Sequence, residues 1–252
     1  MTSIKTEGIV LRRYNYSETS LLVYFFTERL GKVKTLVKGA KKPKGRFFGR
    51  LELASILDLV IHQGARTDLH VLADVSLLDS LEPLRTDLAK FAHAMVILEL
   101  VDAAFEVESP NATFYGDLSH GLHLLCNAPM DPWIALVIHL KMLHALGLLP
   151  ADNFCQECGK PFDGSFYFSS QHGASLCRGC LPKGTSAVLS QGWQIPYLAK
   201  VVSRSLDDCV RLPITEAQKR QFYGWARNML DGVVHKKIRS YDFLSQVGFS
   251  YS

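Results

Sequence analysis

The first 80 residues contain five short segments with the alternating or continuously apolar pattern of β-strands, and no helical segment separates them. The segments are Gly8–Arg13, Leu21–Phe26, Lys32–Lys38, Leu53–His62 and Leu69–Val75. Consecutive short strands without helical crossovers predict a small antiparallel barrel. A five-stranded oligonucleotide-binding (OB) fold is the natural candidate, and an SH3-like barrel is the alternative.

The hydrophobic period changes after Pro83 from two residues to between three and four. The apolar positions that mark this first helix are Leu84, Leu88, Phe91, Met95 and Leu98. Further helices are predicted over Thr113–Cys126 and after Asp131, and the capping-box pattern at Thr215 predicts another. The chain is therefore predicted to be an α+β protein.

The strongest single motif is the pair of cysteine couples Cys155-x2-Cys158 and Cys177-x2-Cys180, separated by eighteen residues. Four thiolates at this spacing can converge tetrahedrally on one Zn²⁺ ion, and an iron–sulfur site or a redox pair is the alternative. Four protein ligands leave no position for water or substrate, so we expect a structural ion. The aromatic segment between the couples is typical of a zinc ribbon.

These patterns together predict two domains. Residues 1–80 form the five-stranded OB-fold barrel, which binds nucleic acid. Residues 81–252 form an α-helical domain, into which a four-cysteine zinc loop is inserted at 155–180.

Positive charge is concentrated in Arg29–Arg50, which holds nine Lys and Arg residues and no Asp or Glu. Strand alternation places Lys32, Lys34 and Lys38 on one face, with about 6.6 Å between alternate residues, a row suited to successive phosphates. Phe47 and Phe48 follow, and aromatic rings beside cations are typical of surfaces that bind single-stranded nucleic acid. The alternative is a solvated hairpin whose lysines protect a sheet edge from aggregation.

Charge also varies along the chain, whose formal net charge is +4. Residues 1–80 carry net +5, residues 81–154 carry net −6 and residues 155–252 carry net +5. This distribution predicts an anionic partner at one surface and a different partner at another.

No signal-peptide pattern is seen at the start of the chain, and the apolar stretch Trp133–Leu149 is interrupted by His139 and Lys141. We therefore expect no membrane partner and a cytoplasmic location, where paired cysteines suggest metal before disulfide. Common nucleotide-binding, hydrolase, protease and deaminase motifs are absent from the sequence, so we expect no enzymatic activity.

The N-terminal sequence resembles the RecO family of bacterial recombination mediators. The resemblance lies in Gly8–Leu11, Tyr16–Glu18, Thr27, Gly31–Lys32 and Lys38–Lys42. The order of barrel, helical domain, four-cysteine loop and further helix agrees with that family over the whole chain.

The resemblance implies a non-enzymatic, nucleoid-associated role in recombinational repair. Such proteins bind single- and double-stranded DNA and anneal complementary strands. With the partner RecR they help RecA replace single-stranded DNA-binding protein. The expected DNA-binding residues are Arg12, Arg13, Lys32, Lys34, Lys38, Lys41, Lys42, Lys44, Arg46 and Arg50.

Two other functions remain open from the residues alone. A zinc-ribbon and OB-fold protein could bind RNA as an accessory factor in transcription or translation. A metal-dependent enzyme could assemble its site from residues that are distant in the sequence.

Overall fold

The computed structural model describes residues 2–64, 68–169, 173–234 and 236–249 of the 252-residue chain. The chain divides into two compact units. The first comprises Met1–Asp131 with Ile238–Phe249, and the second comprises Pro132–Lys237 with Ser250–Ser252. Within the described residues, no helix has both the length and the apolar character needed to span a bilayer.

Strands and helices follow the predicted change of period along the chain. The strands are β1 (Ser3–Asn15), β2 (Leu21–Thr27), β3 (Gly31–Val37), β4 (Ile56–His62), β5 (Leu69–Asp79), β6 (Ser165–Ser169), β7 (Ala174–Leu176) and β8 (Val188–Gln191). The helices are α1 (Pro83–Thr86), α2 (Leu88–Ala104), α3 (Ala112–Asn127), α4 (Pro132–Ala145), α5 (Gln194–Ser203), α6 (Leu206–Val210), α7 (Glu216–Asp231) and α8 (Ser240–Gln246).

The first unit is built on a closed, OB-like barrel with the strand order β1-β2-β3-β5-β4, in which β4 pairs back onto β1. The five predicted strands are confirmed. The expectation of a purely antiparallel barrel is wrong at one pair, because β3 and β5 are parallel over Lys34–Leu36. The chain reverses direction twice between β3 and β5, so the two strands run the same way where they meet.

Alternating side chains of the strands fill the barrel. Val33, Thr35 and Val37 are fully buried, as the alternation of β3 predicts. Three residues of the loop after β3 also belong to the core, namely Ala40, Phe47 and Leu51. This loop is therefore anchored to the barrel by apolar side chains.

The helix predicted after Pro83 is interrupted at Asp87, which is extended with φ −98° and ψ 117°. The Asp87 carboxylate accepts hydrogen bonds from the amides of Ala89 and Lys90, so the same residue ends α1 and caps α2. The C-terminal helix α8 packs on α2, where the Glu99 carboxylate accepts hydrogen bonds from Ser240. Helix α8 thus belongs to the first unit.

The second unit surrounds the almost entirely buried helix α4, against which α5, α6 and α7 pack. The capping box at Thr215 and Gln218 is confirmed, and the apolar face of α7 packs on α4 as its spacing predicts. Strands β6, β7 and β8 form a small sheet in the order β7-β6-β8. The segment between the cysteine couples includes residues 170–172, which lie outside the described residues.

Candidate nucleic-acid interface and metal centre

A groove of about 550 Å³ lies where the end of β1 meets the loop that follows β3. We call residues Lys38–Glu52 the basic loop. The residues of the groove that matter for its chemistry are Arg13, Tyr14, Lys41, Phe47, Phe48 and Glu52. The groove thus combines aromatic rings, cations and one carboxylate on the surface of the barrel.

The basic loop is an ordered series of turns. Backbone hydrogen bonds join the amides of Lys42, Gly45, Phe48 and Arg50 to the carbonyls three residues earlier. Lys44 has a positive φ of 61°, a conformation uncommon for residues other than glycine. The turns hold the loop cations in a defined arrangement on the barrel.

The two phenylalanines of the basic loop have different roles. Phe47 is only 5% exposed and belongs to the barrel core, whereas Phe48 is 56% exposed beside the groove. The interpretation that both rings are available for stacking is therefore wrong for Phe47, because the loop turns this ring into the barrel. Only Phe48 of the pair can meet a base.

Sequence reasoning missed Tyr14 and Tyr16, whose side chains are 49% and 59% exposed. Tyr14 lines the groove, and Arg12 donates a hydrogen bond to its hydroxyl over 3.2 Å. The sequence does carry a signal, because Tyr14 and Tyr16 occupy alternate positions just after Arg12–Arg13. A β-bulge near Leu11, however, changes the alternation of β1, so the strand period alone does not show which side chains are exposed.

The predicted cations differ in exposure. Lys38, Lys42, Lys44, Arg46 and Arg50 are exposed on the basic loop, Arg13 is exposed near the end of β1, and Lys34 is half-buried on β3. Lys38, Lys42, Lys44 and Arg46 lie within nine consecutive residues of this turn-rich segment.

Lys41, Arg50 and Arg13 form hydrogen bonds or an ion pair within the first unit. The ammonium group of Lys41 donates to the Ser17 carbonyl over 3.0 Å, and Arg50 donates to the Val75 carbonyl over 3.0 Å. Arg13 forms a two-pronged ion pair with Glu52, with both N···O distances 2.8 Å.

Arg12 and Lys32 are engaged with helix α2. Arg12 lies 3.1 Å from the Asp102 carboxylate, and its guanidinium lies 3.9 Å from the ring centroid of Tyr24. Lys32 is 9% exposed and donates to the backbone carbonyl of Asp102 over 2.6 Å. The predicted row of Lys32, Lys34 and Lys38 on one exposed face is therefore incomplete at Lys32, because its side chain is buried against the Asp102 carbonyl of α2.

The four cysteines of the two couples converge in the second unit. Their sulfur atoms all lie within 4.8 Å of one another, and the Sγ atoms of Cys158 and Cys177 are 3.9 Å apart. A tetrahedral ion with metal–sulfur bonds of about 2.3 Å requires sulfur separations of about 3.8 Å. The cluster can therefore hold a metal ion.

The backbone around the cysteines is arranged for this cluster. The Gly159 amide donates to the Cys155 carbonyl over 2.8 Å, and Gly159 has a φ of 71°, which favours glycine. Gln156 is joined to Ser175 on β7 by two hydrogen bonds, from the Gln156 amide to the Ser175 carbonyl and from the Ser175 amide to Gln156 Oε1. These contacts hold the first couple beside the sheet that leads into the second.

The thiols differ in acidity. Burial opposes ionisation of Cys155, but hydrogen bonds from the backbone at Cys158, Cys177 and Glu157 lower its pKa to about 6. Hydrogen bonds with the other thiols, that of Cys177 first, raise the pKa of Cys180 to about 12. A bound cation would favour four thiolates, so metal binding should release protons.

Comparison with known proteins gives two family models that together follow most of the chain. The model of the recombination protein O N-terminal region matches residues 1–81, and that of the recombination protein O C-terminal region matches residues 85–242. The chain belongs to the recombination protein O (RecO) family. The expected resemblance is confirmed.

RecO proteins from several bacteria are similar to this chain over most of their own length. The DNA repair protein RecO of Clostridium novyi (strain NT) is 30% identical over 207 residues, which cover 82% of this chain and 77% of the relative. The RecO protein of Bacillus cereus (strain AH187) is 33% identical over 173 residues, which cover 69% and 68%. That of Alkaliphilus metalliredigens (strain QYMF) is 30% identical over 178 residues, which cover 70% and 72%.

Membership of the RecO family supports a role in DNA repair and recombination. The N-terminal family region contains the barrel, the groove and the basic loop. The C-terminal region contains all four clustered cysteines.

Proposed function

We propose that this protein is a non-enzymatic recombination mediator, which binds single- and double-stranded DNA and anneals complementary strands. The observation that carries the proposal is the groove of this RecO-family barrel, in which exposed aromatic rings and a cationic loop lie side by side. Residues 1–80 would bind DNA, and residues 81–252 would form the helical domain with its zinc loop.

The exposed cations of the basic loop would neutralise backbone phosphates. Lys38, Lys42, Lys44 and Arg46 are the main group, and Lys34 and Arg50 extend it. Neutralising phosphates releases counterions, which supplies much of the affinity and makes it depend on salt. The same neutralisation reduces the repulsion between two complementary strands and so promotes annealing.

The exposed rings of the groove would bind bases. Tyr14 and Phe48 both line it, and stacking on aromatic rings tolerates any base. Arg12 and Lys32 would act as positioning residues, since Arg12 hydrogen-bonds Tyr14 and both are held at Asp102. This arrangement supports binding without sequence preference.

Family membership also supports the partners. With RecR, the protein would help to load RecA onto DNA that is coated by single-stranded DNA-binding protein. A complex with purified RecR, measured by analytical ultracentrifugation, tests the first of these contacts. We expect one co-sedimenting species, and separate boundaries for the two proteins would contradict the proposed partnership.

The metal proposed for the four cysteines is one structural Zn²⁺ ion. Cys155, Cys158, Cys177 and Cys180 would hold it with no position left open. When bound, zinc would supply folding free energy to the loop and no chemistry. Metal analysis of the purified protein should give one zinc per chain, and iron with a visible absorption band would support the iron–sulfur alternative.

The test of the main proposal is annealing of two complementary DNA strands, precoated with single-stranded DNA-binding protein, without nucleotide. The test variant is the triple substitution Lys42→Gln, Lys44→Gln and Arg46→Gln. The control variant, Lys160→Gln with Lys183→Gln and Lys200→Gln, lowers the net charge equally in the second unit. We expect the control to anneal like the wild type and the test variant to lose the acceleration.

Salt titration adds a second measurement. The test variant should bind all sequences more weakly, and its slope of log K against log salt should flatten by about 0.7 for each lost single-strand contact. An unchanged slope would exclude the basic loop as the DNA surface. No annealing, together with tight binding to structured RNA, would favour an RNA-binding accessory factor instead.

A further inference from the structure

Arg13 and Glu52 form an ion pair inside the proposed DNA groove. Arg13 lies near the end of β1 and Glu52 near the end of the basic loop. One guanidinium nitrogen contacts Glu52 Oε1 and the other contacts Oε2, both at 2.8 Å. The first nitrogen also donates to the Leu51 carbonyl over 3.2 Å.

This pair occupies the group that would otherwise bind phosphate. A guanidinium presents a planar fork of donors that fits either a carboxylate or a phosphate, and it cannot give the same fork to both. Glu52 is the acidic member of the groove lining, beside the cations Arg13 and Lys41. DNA that uses Arg13 must therefore first displace Glu52.

Displacement is energetically accessible because the pair is exposed to solvent. The side chains of Arg13 and Glu52 are 38% and 36% exposed. An exposed pair of this kind is worth about 0.2–1 kcal/mol, so paired Arg13 exceeds free Arg13 by about 1.4- to 5-fold. Only the free fraction is ready to bind phosphate, and the apparent affinity falls in proportion.

We propose that Glu52 is an internal competitor of DNA, which occupies Arg13 in the free protein and keeps the affinity of the groove low. The inference rests on the proposed function of the groove. The chemistry fits a protein that hands strands on, since a carboxylate already in place can recapture Arg13 as a phosphate leaves. Glu52 is thus assigned a regulatory part in DNA binding, distinct from the cations.

The test measures binding of a fluorescein-labelled oligothymidylate at fixed salt to the wild type, Glu52→Gln, Arg13→Gln and the double variant. If Glu52 acts through Arg13, Glu52→Gln should tighten binding about two- to sixfold, the inverse of the free fraction. The double variant should bind no more tightly than Arg13→Gln alone. This double-mutant cycle isolates the interaction between the two residues.

Glu18→Gln is the matched control, because it makes the same charge change on an exposed residue of the neighbouring turn. Thermal unfolding of each variant verifies that the barrel remains folded. A separate readout is the NMR signal of the Arg13 guanidinium. This signal should change when Glu52→Gln removes the carboxylate, and it should also change when DNA is added to the wild type, because a phosphate then replaces the carboxylate.

The outcomes separate this inference from the proposed function. Equal gains for Glu18→Gln and Glu52→Gln would mean that net charge alone matters and would overturn it. Weaker binding by Glu52→Gln would also overturn it, because Glu52 would then stabilise the loop conformation that binds DNA. If Arg13→Gln binds and anneals like the wild type, the inference fails while the function stands. If the wild type binds no DNA, both fail.

Discussion

The basic loop (Lys38–Glu52) and the cysteine loop (Cys155–Cys180) are held in place by different kinds of interaction. Lys38–Glu52 is a series of turns, and the described part of Cys155–Cys180 contains β6 and β7. Lys38–Glu52 is held by inserting Phe47 and two other apolar side chains into the barrel core. Cys155–Cys180 is held around a cluster of four sulfur atoms.

The difference is one of coupling. An apolar anchor ties the order of a loop to the folding of the domain that buries it. A metal anchor ties it to the presence of an ion, and the free energy of binding becomes folding free energy. The two segments should therefore respond to different perturbations. We expect that either anchor can be removed without disordering the segment held by the other.

The largest expected effect is loss of the metal. Stripping the ion with a chelator, or substituting Cys155→Ser, should unfold the cysteine loop, because three thiols cannot replace a closed four-ligand site. Hydrogen exchange should become fast at the amides of Gly159 and Gln156, which are ordered around the cluster. The basic loop should keep its protection, and oligothymidylate binding should stay within about twofold.

Cys126→Ser is the control for that experiment, since Cys126 is a buried cysteine outside the cluster. It should retain the metal. Equal loss of protection in both loops after chelation would contradict the separate anchoring of the two segments.

The second effect concerns the apolar anchor. Phe47→Ala should destabilise the first unit by about 3–5 kcal/mol, because Phe47 is a nearly buried aromatic ring in the barrel core. Chemical denaturation measures this loss. The metal content should be unchanged. A loss below about 1 kcal/mol would show that Phe47 does not hold the loop.

Phe48→Ala sharpens the contrast within the same loop. Its ring is exposed, so stability should change by no more than about 0.5 kcal/mol. If Phe48 stacks on a base, oligothymidylate binding should weaken by about 1–3 kcal/mol, with the salt slope retained. Unchanged affinity in this variant, measured by fluorescence anisotropy, would place stacking on Tyr14 alone.

The features that could be predicted from the sequence are those that depend on residues close together in the chain. Strand period, helix caps and cysteine spacing are local, and they predicted the barrel, the capping box at Thr215 and the convergence of the four cysteines. The inward turn of Phe47 and the burial of Lys32 were not predicted, because both depend on elements far away in the chain. The pairing of Arg13 with Glu52 spans 39 residues and left no local signal.

The ring of His93 offers the smallest expected effect, and it concerns pH. His93 on α2 is fully buried in the first unit, and burial lowers its pKa below the ordinary value of 6.5, although the hydrogen bond to the Ala89 carbonyl opposes this. The apolar anchor of the basic loop carries no titrating group. Acid sensitivity of the first unit should therefore include a contribution from this histidine.

The sign follows from proton binding. Below about pH 6.5 the unfolded chain takes up a proton at His93 that the folded protein excludes, so stability falls as pH falls, by at most about 1.4 kcal/mol per pH unit. His93→Leu should flatten this dependence of the free energy of unfolding, whatever its stability at neutral pH. His144→Gln, which alters an exposed histidine of the second unit, should leave it unchanged. If His93→Leu keeps the full acid dependence, another group carries it.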